Sequence, residues 1–315
     1  MTSGPGNVVI NHANTVLVSA ADGSIHASDG NRIGLFADDT RFISEYALRL
    51  NGEPLHLIGA SRLSFRQARW LYGTAPIRSV HGDVRDATVT VQLDRLMSER
   101  RLHEDIVIRA YGRDDVSLLL ALSIETDFAD IFEVISERWQ RRTDVTTTWH
   151  APNRLETLYE RGDFVRRCEV RLTGDAKGPA YANGMLRIPV DLLPGNEWHL
   201  CVQYDFATAR RSRPALAPCP MRAGVGDRAE QLRRRWHRTV SRLRKADPRL
   251  LASFQQSVED FAALRLYELD FSPDVWLPAA GIPWFVAPFG RDSIIASIQT
   301  LPVHPLFAMG TLQTL

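Results

Sequence analysis

Through the first two hundred residues the apolar positions recur mostly at every second residue, the period of a strand with one covered face. Val16, Val18 and Ala20 alternate with polar neighbours ahead of an Asp22–Gly23 turn. The same alternation runs through Ala87, Val89, Val91 and Leu93, through Phe164 to Leu172, and through Trp198 to Phe206. The strongest hairpin signal is Asn51–Gly52, a pair that tolerates the positive φ angles of a tight turn, with Leu48, Leu50, Leu55 and Leu57 alternating on its flanks. Val116 to Ile124 is apolar almost throughout and is expected to be a strand covered on both faces. Many short strands broken by Gly, Asp and Asn turns predict an antiparallel β-sandwich over residues 1–207, making the chain mainly β in its N-terminal part.

Beyond residue 207 the pattern changes. Residues 208–227 hold Pro214, Pro218, Pro220, Gly224 and Gly226 and read as a linker. From 228 to 315 the period becomes helical. Leu232, Trp236, Val240 and Leu243 form one stripe, and Leu250, Phe254, Val258, Phe261 and Leu264 form a second. Asp227 is positioned to cap the first helix, and Asp247–Pro248 supplies a cap and first-turn proline for the next. An all-α segment therefore follows the β part.

Length and charge narrow the functional classes. The 315 residues leave room for two domains, and a net charge of +1 creates no global field toward nucleic acid or an anionic membrane. No apolar run is long enough to span a bilayer, and Met1 to Pro5 lacks a charged region leading into an apolar core. A cytoplasmic protein with neither nucleic acid nor membrane as partner is expected. Lys177 and Lys245 are the only lysines beside 36 arginines, so lysine-based cofactor chemistry has two candidates, neither in a recognisable motif; no cofactor is expected. Cys168, Cys201 and Cys219 are too few and too scattered for a disulfide framework or a zinc site, and no metal ligands are assigned.

Two short patterns carry less than they suggest. Gly224 to Ala229 imitates a dinucleotide fingerprint, but the proline-flanked segment before it cannot form the buried strand that motif needs. The helix from Arg228 to Lys245 is strongly basic against Glu230 alone; a solvated face opposite the Leu232–Trp236–Val240 stripe explains it better than nucleic-acid binding, given the balanced chain.

The chemistry-bearing segment runs from Trp276 to Ile298. Its prolines and glycines keep the first half out of a helix, yet Trp276, Trp284, Phe285 and Phe289 lie there, so these rings either enter a core or line a pocket. Gly290–Arg291–Asp292–Ser293 then opens an apolar helix. Arg291 offers five donors and Asp292 an acceptor at one place, which suits a pyranose, whose hydroxyls both donate and accept and whose C–H face lies against a ring. An ion pair at a helix start over buried aromatics accounts for the same residues equally well.

The segment Gly281–Ile282–Pro283–Trp284–Phe285, followed by Phe289–Gly290–Arg291–Asp292–Ser293, resembles the motif that begins the helical barrel in the bacterial glycogen-debranching, amylo-α-1,6-glucosidase family. Gly34 to Phe42 with Asp39–Thr40–Arg41–Phe42, Ser44 to Gly52, and Asp127 to Val134 are similar to motifs of that family's N-terminal domain. The resemblance implies a β-sandwich joined to an (α/α)6 barrel that hydrolyses glucosidic bonds, with an α-glucan or oligosaccharide as substrate. It implies that Arg291 and Asp292 clamp the non-reducing sugar, with Trp284 as stacking platform. Phe285 and Phe289 fall where the related glucoamylases carry a tyrosine and a tryptophan, so they could stack but not hydrogen-bond. The catalytic carboxylates of the family come from later barrel loops, so no catalytic residue is assigned here. The chain is expected to be an N-terminal portion holding the first helices of a truncated barrel, inactive alone, with a partner chain or missing C-terminal barrel half completing it. Asp39–Thr40–Arg41–Phe42 is expected to be structural, a turn with an ion pair. The rival to a glycosidase is a non-catalytic glucan-binding or assembly module.

Overall fold

A computed structural model describes residues 6–27, 31–74, 76–79, 82–84, 88–138, 140, 142–208, 219 and 228–315. Contacts divide the chain into one unit of Met1–Ile10 with Thr15–Cys219 and another of Asn11–Asn14 with Pro220–Leu315. The proposed linker over 208–227 and the Asp227 cap lie outside the described residues, save for Thr208 and Cys219.

The first unit is mainly β and its sheets are antiparallel. Its largest sheet has eight strands, in the order Val145–His150, Arg154–Arg161, Phe164–Gly174, Glu197–Thr208, Arg101–Ala110, Val89–Ser98, Gln67–Gly73 and His56–Ser64. A six-stranded sheet is built around Val116–Glu125, paired with Met185–Leu192 on one side and Glu45–Leu50 on the other. Val91, Leu93, Ile106, Ile108, Leu200 and Val202 turn one face of the large sheet into the core. Leu118, Leu120, Leu122, Leu186, Ile188 and Val190 do the same for the smaller sheet. This is the arrangement of a β-sandwich. The Asn51–Gly52 turn forms as expected, joining Glu45–Leu50 to Glu53–Pro54 with φ of +50° and +85° at its two central residues.

Two strands differ from their sequence pattern in opposite ways. Val116 to Ile124 was expected to be covered on both faces, yet Leu119 is exposed and Ser117 and Ser123 are half-buried. Conversely, Trp198 to Phe206 alternates like a one-faced strand but is buried at every position. Its second face carries His199, Cys201, Gln203 and Asp205, polar side chains removed from water beside His103 and Asp105 of the neighbouring strand. Period-2 patterning reports polarity, and polar groups stay buried where they satisfy one another.

The family-like motifs of this unit meet in space. Arg41 is fully buried and grips Asp127 through both carboxylate oxygens, with Nε 3.2 and 3.1 Å from Oδ1 and Oδ2 and Nη2 2.5 Å from Oδ2. The backbone of Arg41 donates to Ala129 O and that of Ile131 to Asp39 O. Asp130 then opens the helix Ile131–Ser136 with a capping box shared with Glu133. Phe42 packs edge-on against Phe128. The expected turn with an ion pair is present, its acid supplied from Asp127.

In the second unit the helix Arg228–Thr239 buries Leu232 and Trp236, as its stripe implied, but ends before Leu243. Ser241 leaves the helix to donate from its backbone to Val303 O and from its hydroxyl to Pro302 O. Asp247 caps the helix Pro248–Ala263 by accepting from the Arg249 N–H, with Pro248 in the first turn. Asn11 joins this unit by donating to Ala263 O at 2.7 Å. The basic helix answers its charges locally: Arg233 pairs with Glu230 and Glu259, Arg234 with Glu230, and Arg235 with Asp274. Among the described residues no helix is long and apolar enough to cross a membrane.

The core of this unit is aromatic. Trp276 meets Phe307 edge-on at 4.5 Å, Trp236 lies 5.5 Å from both, and the Trp236 indole donates to Val258 O. His304 sits edge-on to Trp236 and Phe307, its Nε2–H donating to Asp274 O at 3.1 Å. Burial lowers its pKa below the ordinary 6.5, because the charged ring would lose its hydration. The unfolded chain therefore binds this proton more readily, and stability present above 6.5 is lost as pH falls from there through the lower folded pKa. Between about pH 7.5 and pH 5.5 the urea midpoint read by tryptophan fluorescence should drop, and His304→Gln should flatten that drop. An equal acid loss in the variant would remove His304 as the cause.

Candidate functional site

Residues 276–300 divide their aromatic rings between core and surface. Trp276 enters the core. The chain then turns back on itself, with Gly281 and Phe285 exchanging both backbone hydrogen bonds at 3.0 and 3.1 Å and Ala280 donating to Ala287 O. This tight loop leaves Trp284 half-buried and Phe285 54% exposed. Phe289 is 42% exposed and its ring meets Phe285 edge-on, centroids 5.9 Å apart. Large rings left in water singly are ordinary; two in contact form a patch.

The helix Gly290–Thr300 starts directly behind Phe289, and Ser293 closes its first turn onto Phe289 O at 2.8 Å. Asp292 lies in that first turn, where the helix dipole favours its charge. Arg291 Nε is 3.9 Å from Asp292 Oδ2, and the two side chains are 85% and 47% exposed. So loose a contact leaves the donors of the guanidinium and the carboxylate acceptor open to a ligand. The structure thus places Phe285, Phe289, Arg291 and Asp292 together on the surface about one helix start, with Trp284 half-buried in the adjoining loop. A hollow of about 620 Å³ lies elsewhere in this unit, lined by His237, Leu243, Leu251, Phe254, Val258 and Glu259 among others, and none of the five candidate residues borders it.

The helix itself is turned inside out relative to its composition. Ser293, Ser297 and Thr300 are buried, whereas Ile294, Ile295 and Ile298 are exposed. Ser297 hydrogen-bonds Thr311 at 2.7 Å across to the helix Leu306–Thr314, whose Met309 and Leu312 also face outward. Small hydroxyl side chains let the two helices approach, and the apolar side remains uncovered.

A second chemical cluster, invisible in the spacing of the sequence, lies on the outer face of the eight-stranded sheet. His103 and Asp105 stand two residues apart on one strand, hence on one face, and Cys201 is the register partner of Asp105 on the next strand. Cys219 completes the group: single donor atoms of His103, Asp105, Cys201 and Cys219 all lie within 4.8 Å of one another. His199 Nε2 also hydrogen-bonds Asp105 Oδ1. Burial would raise the Asp105 pKa, but hydrogen bonds from His103, His199 and Cys219 outweigh it and hold the carboxyl well below its usual range. Burial pushes the Cys201 thiol up to about 12. Two of three cysteines that look scattered both reach His103: strand pairing brings Cys201 there across 98 positions, and Cys219 reaches it from beyond the strands.

Residues 10–203 match the family described as the N-terminal domain of (some) glycogen debranching enzymes. No curated protein sequence matches the chain. Similar solved structures include one described as a kojibiose phosphorylase from the human microbiome, at 8% identity and a TM-score of 0.44, covering 96% of this chain and 39% of that one. A galactose mutarotase-like protein from Lactobacillus casei is similar at 6% identity and a TM-score of 0.35, covering 64% of this chain and 100% of that one. A heparan sulfate lyase from Pedobacter heparinus aligns at 10% identity and a TM-score of 0.36, over 68% of this chain and 38% of that one. This chain thus spans well under half the length of the phosphorylase.

Proposed function

The chain belongs, through residues 10–203, to the family of N-terminal domains of glycogen debranching enzymes, and from that membership we propose that it is the glucan-handling front part of a glycoside-hydrolase-type enzyme. The observation that carries this reading is the exposed pairing of Phe285 and Phe289 beside Arg291 and Asp292. A glucose unit presents a C–H face that lies against such rings, and hydroxyls that accept from the guanidinium and donate to the carboxylate.

In this reading Arg291 and Asp292 hold the sugar and move no proton. Hydrolysis of a glycosidic bond needs two carboxyl groups, one on each side of the bond. Asp292 is a single carboxylate, while Glu230, Glu259, Asp270 and Asp274 of the same unit are tied to arginines. In this reading the 315-residue chain binds α-glucan and does not cleave it alone. The outward-facing Ile294, Ile295, Ile298, Met309 and Leu312 favour cover by further barrel helices or a partner chain, since such an apolar patch is costly in water.

Calorimetric titration with a maltooligosaccharide series tests this. Binding should weaken about tenfold or more in both Phe285→Ala and Arg291→Ala, a loss of ~1.4 kcal/mol or greater. Undiminished affinity in the double variant would move the sugar to the β unit and overturn the assignment. Glucose release by the chain alone would overturn the binding-only part.

A further inference from the structure

We propose that His103, Asp105, Cys201 and Cys219 are the four ligands of a structural Zn²⁺ site on the outer face of the β unit. A period of two places His103 and Asp105 on one face, and antiparallel register sets Cys201 beside Asp105 and Gln203 beside His103. Each of these positions is buried, on a sheet face that ordinarily meets solvent or an apolar layer.

The donor separations fit a tetrahedral ion. Cys201 Sγ and Cys219 Sγ each lie 3.5 Å from His103 Nε2, Cys219 Sγ is 3.1 Å from Asp105 Oδ1, and His103 Nε2 is 3.2 Å from Asp105 Oδ2. Zinc bonds of ~2.0 Å to nitrogen or oxygen and ~2.3 Å to sulfur give tetrahedron edges of roughly 3.3–3.8 Å. Three of these separations, from each Sγ to His103 Nε2 and from His103 Nε2 to Asp105 Oδ2, lie within about 0.1 Å of that range; the fourth, from Cys219 Sγ, is to Asp105 Oδ1, the oxygen that faces His199. As a hydrogen-bonded cluster alone the group is poorly matched, because thiols are weak donors and weak acceptors. As a ligand set it is well matched: two sulfurs, one imidazole and one carboxylate select a borderline-soft ion such as Zn²⁺ over Mg²⁺ or Ca²⁺.

The surroundings supply the outer layer that metal ligands need. His199 hydrogen-bonds Asp105, leaving the second carboxylate oxygen for the ion. With four protein donors no coordination position is left for substrate, so the site is structural, and it would fasten Cys219 to the sheet. On binding, each thiol gives its proton to solvent as its Zn–S bond forms, and no electrons change hands.

The test is a titration of the full 315-residue chain, reduced and stripped of metal, with ZnCl₂ and separately with CoCl₂. The expected result is one ion per chain, a rise in thermal midpoint with Zn²⁺, and a Co²⁺ spectrum showing thiolate charge transfer with the intense d–d bands of tetrahedral coordination. Cys201→Ser and Cys219→Ser should each weaken binding more than His199→Ala, for which the loss of an outer-layer partner gives about 10–100-fold. Cys168→Ser should bind as the parent does, because Cys168 lies outside the cluster. Folding of each variant is read by circular dichroism; if the cysteine variants fail to fold, the Co²⁺ spectrum of the parent chain decides. Substoichiometric binding, an octahedral spectrum without thiolate bands, unchanged affinity in the folded Cys201→Ser/Cys219→Ser variant, or a Cys201–Cys219 disulfide formed in place of metal binding would each overturn the proposal.

Discussion

Arg95→Met is expected to destabilise the β unit by about 3–5 kcal/mol, the cost of stranding a buried charge. Arg95 and Glu104 are both fully buried, with Nε 2.7 Å from Oε1. The guanidinium also donates to Gly23 O at 2.7 Å and stands over the rings of Tyr46 and Trp70, 4.4 and 5.0 Å from their centroids. Among the described residues Glu104 has one further partner, the Tyr204 hydroxyl, which donates at 2.7 Å to its other oxygen. Burial opposes the charge on Arg95, and Glu104, with Tyr46 and Tyr72 beside it, more than restores it. Removing the arginine leaves that carboxylate with a single neutral donor in the middle of a sandwich.

The pair is not an optimal source of stability, and this sharpens the prediction. Among the described residues Arg95 Nη2 is buried without a hydrogen-bond partner, so desolvation is incompletely offset. Arg95→Met combined with Glu104→Gln should therefore recover much of the loss, because no unpaired charge remains and the amide can still accept from Tyr204. Urea midpoints for the two single variants and the double variant make the measurement. Additive losses would show that the two side chains act independently and would contradict the account.

How much of this was legible depends on the distance over which each signal acts. The Asn51–Gly52 turn and the Asp247–Pro248 cap are decided by the residues themselves, through φ and through a side chain reaching the backbone two residues on. The Arg41–Asp127 pair spans 86 positions, and its acid could not be named from the turn alone. The zinc-like cluster is harder still, because only strand register brings Cys201 to Asp105, and Cys219 reaches them from beyond the strands. The helix after Phe289 shows the reverse limit. Its composition is apolar, but which side faces inward is set by the Ser297–Thr311 contact, not by hydropathy. Arg291 and Asp292 could be located at a helix start from sequence; that they stand open to solvent could not.

Asp127→Ala is expected to cost about 3 kcal/mol or more, since it takes from the buried Arg41 guanidinium the carboxylate it grips at both oxygens. Asp127 is itself partly exposed, with its side chain 25% accessible, so water reaches that end of the pair and keeps the loss below that of a wholly enclosed one. Asp127→Asn should cost less, because the amide oxygen still accepts from Arg41. Arg41→Lys should also be costly, because one ammonium cannot reproduce two-point contact with Asp127 while reaching Ile33 O. Packing around the arginine is close: a Cβ on Gly34, whose φ is +152°, would stand 2.5 Å from Arg41 Cδ. Denaturation midpoints for the three variants should fall in the order Asn above Ala, with Lys also below the parent. Maltooligosaccharide affinity of whatever fraction folds should remain that of the parent, since the pair lies in the β unit and the proposed sugar contacts lie in the helical one. Lost sugar binding in a variant with an unchanged midpoint would instead make this motif part of the binding surface. That outcome would count against the assignment to Phe285, Phe289, Arg291 and Asp292.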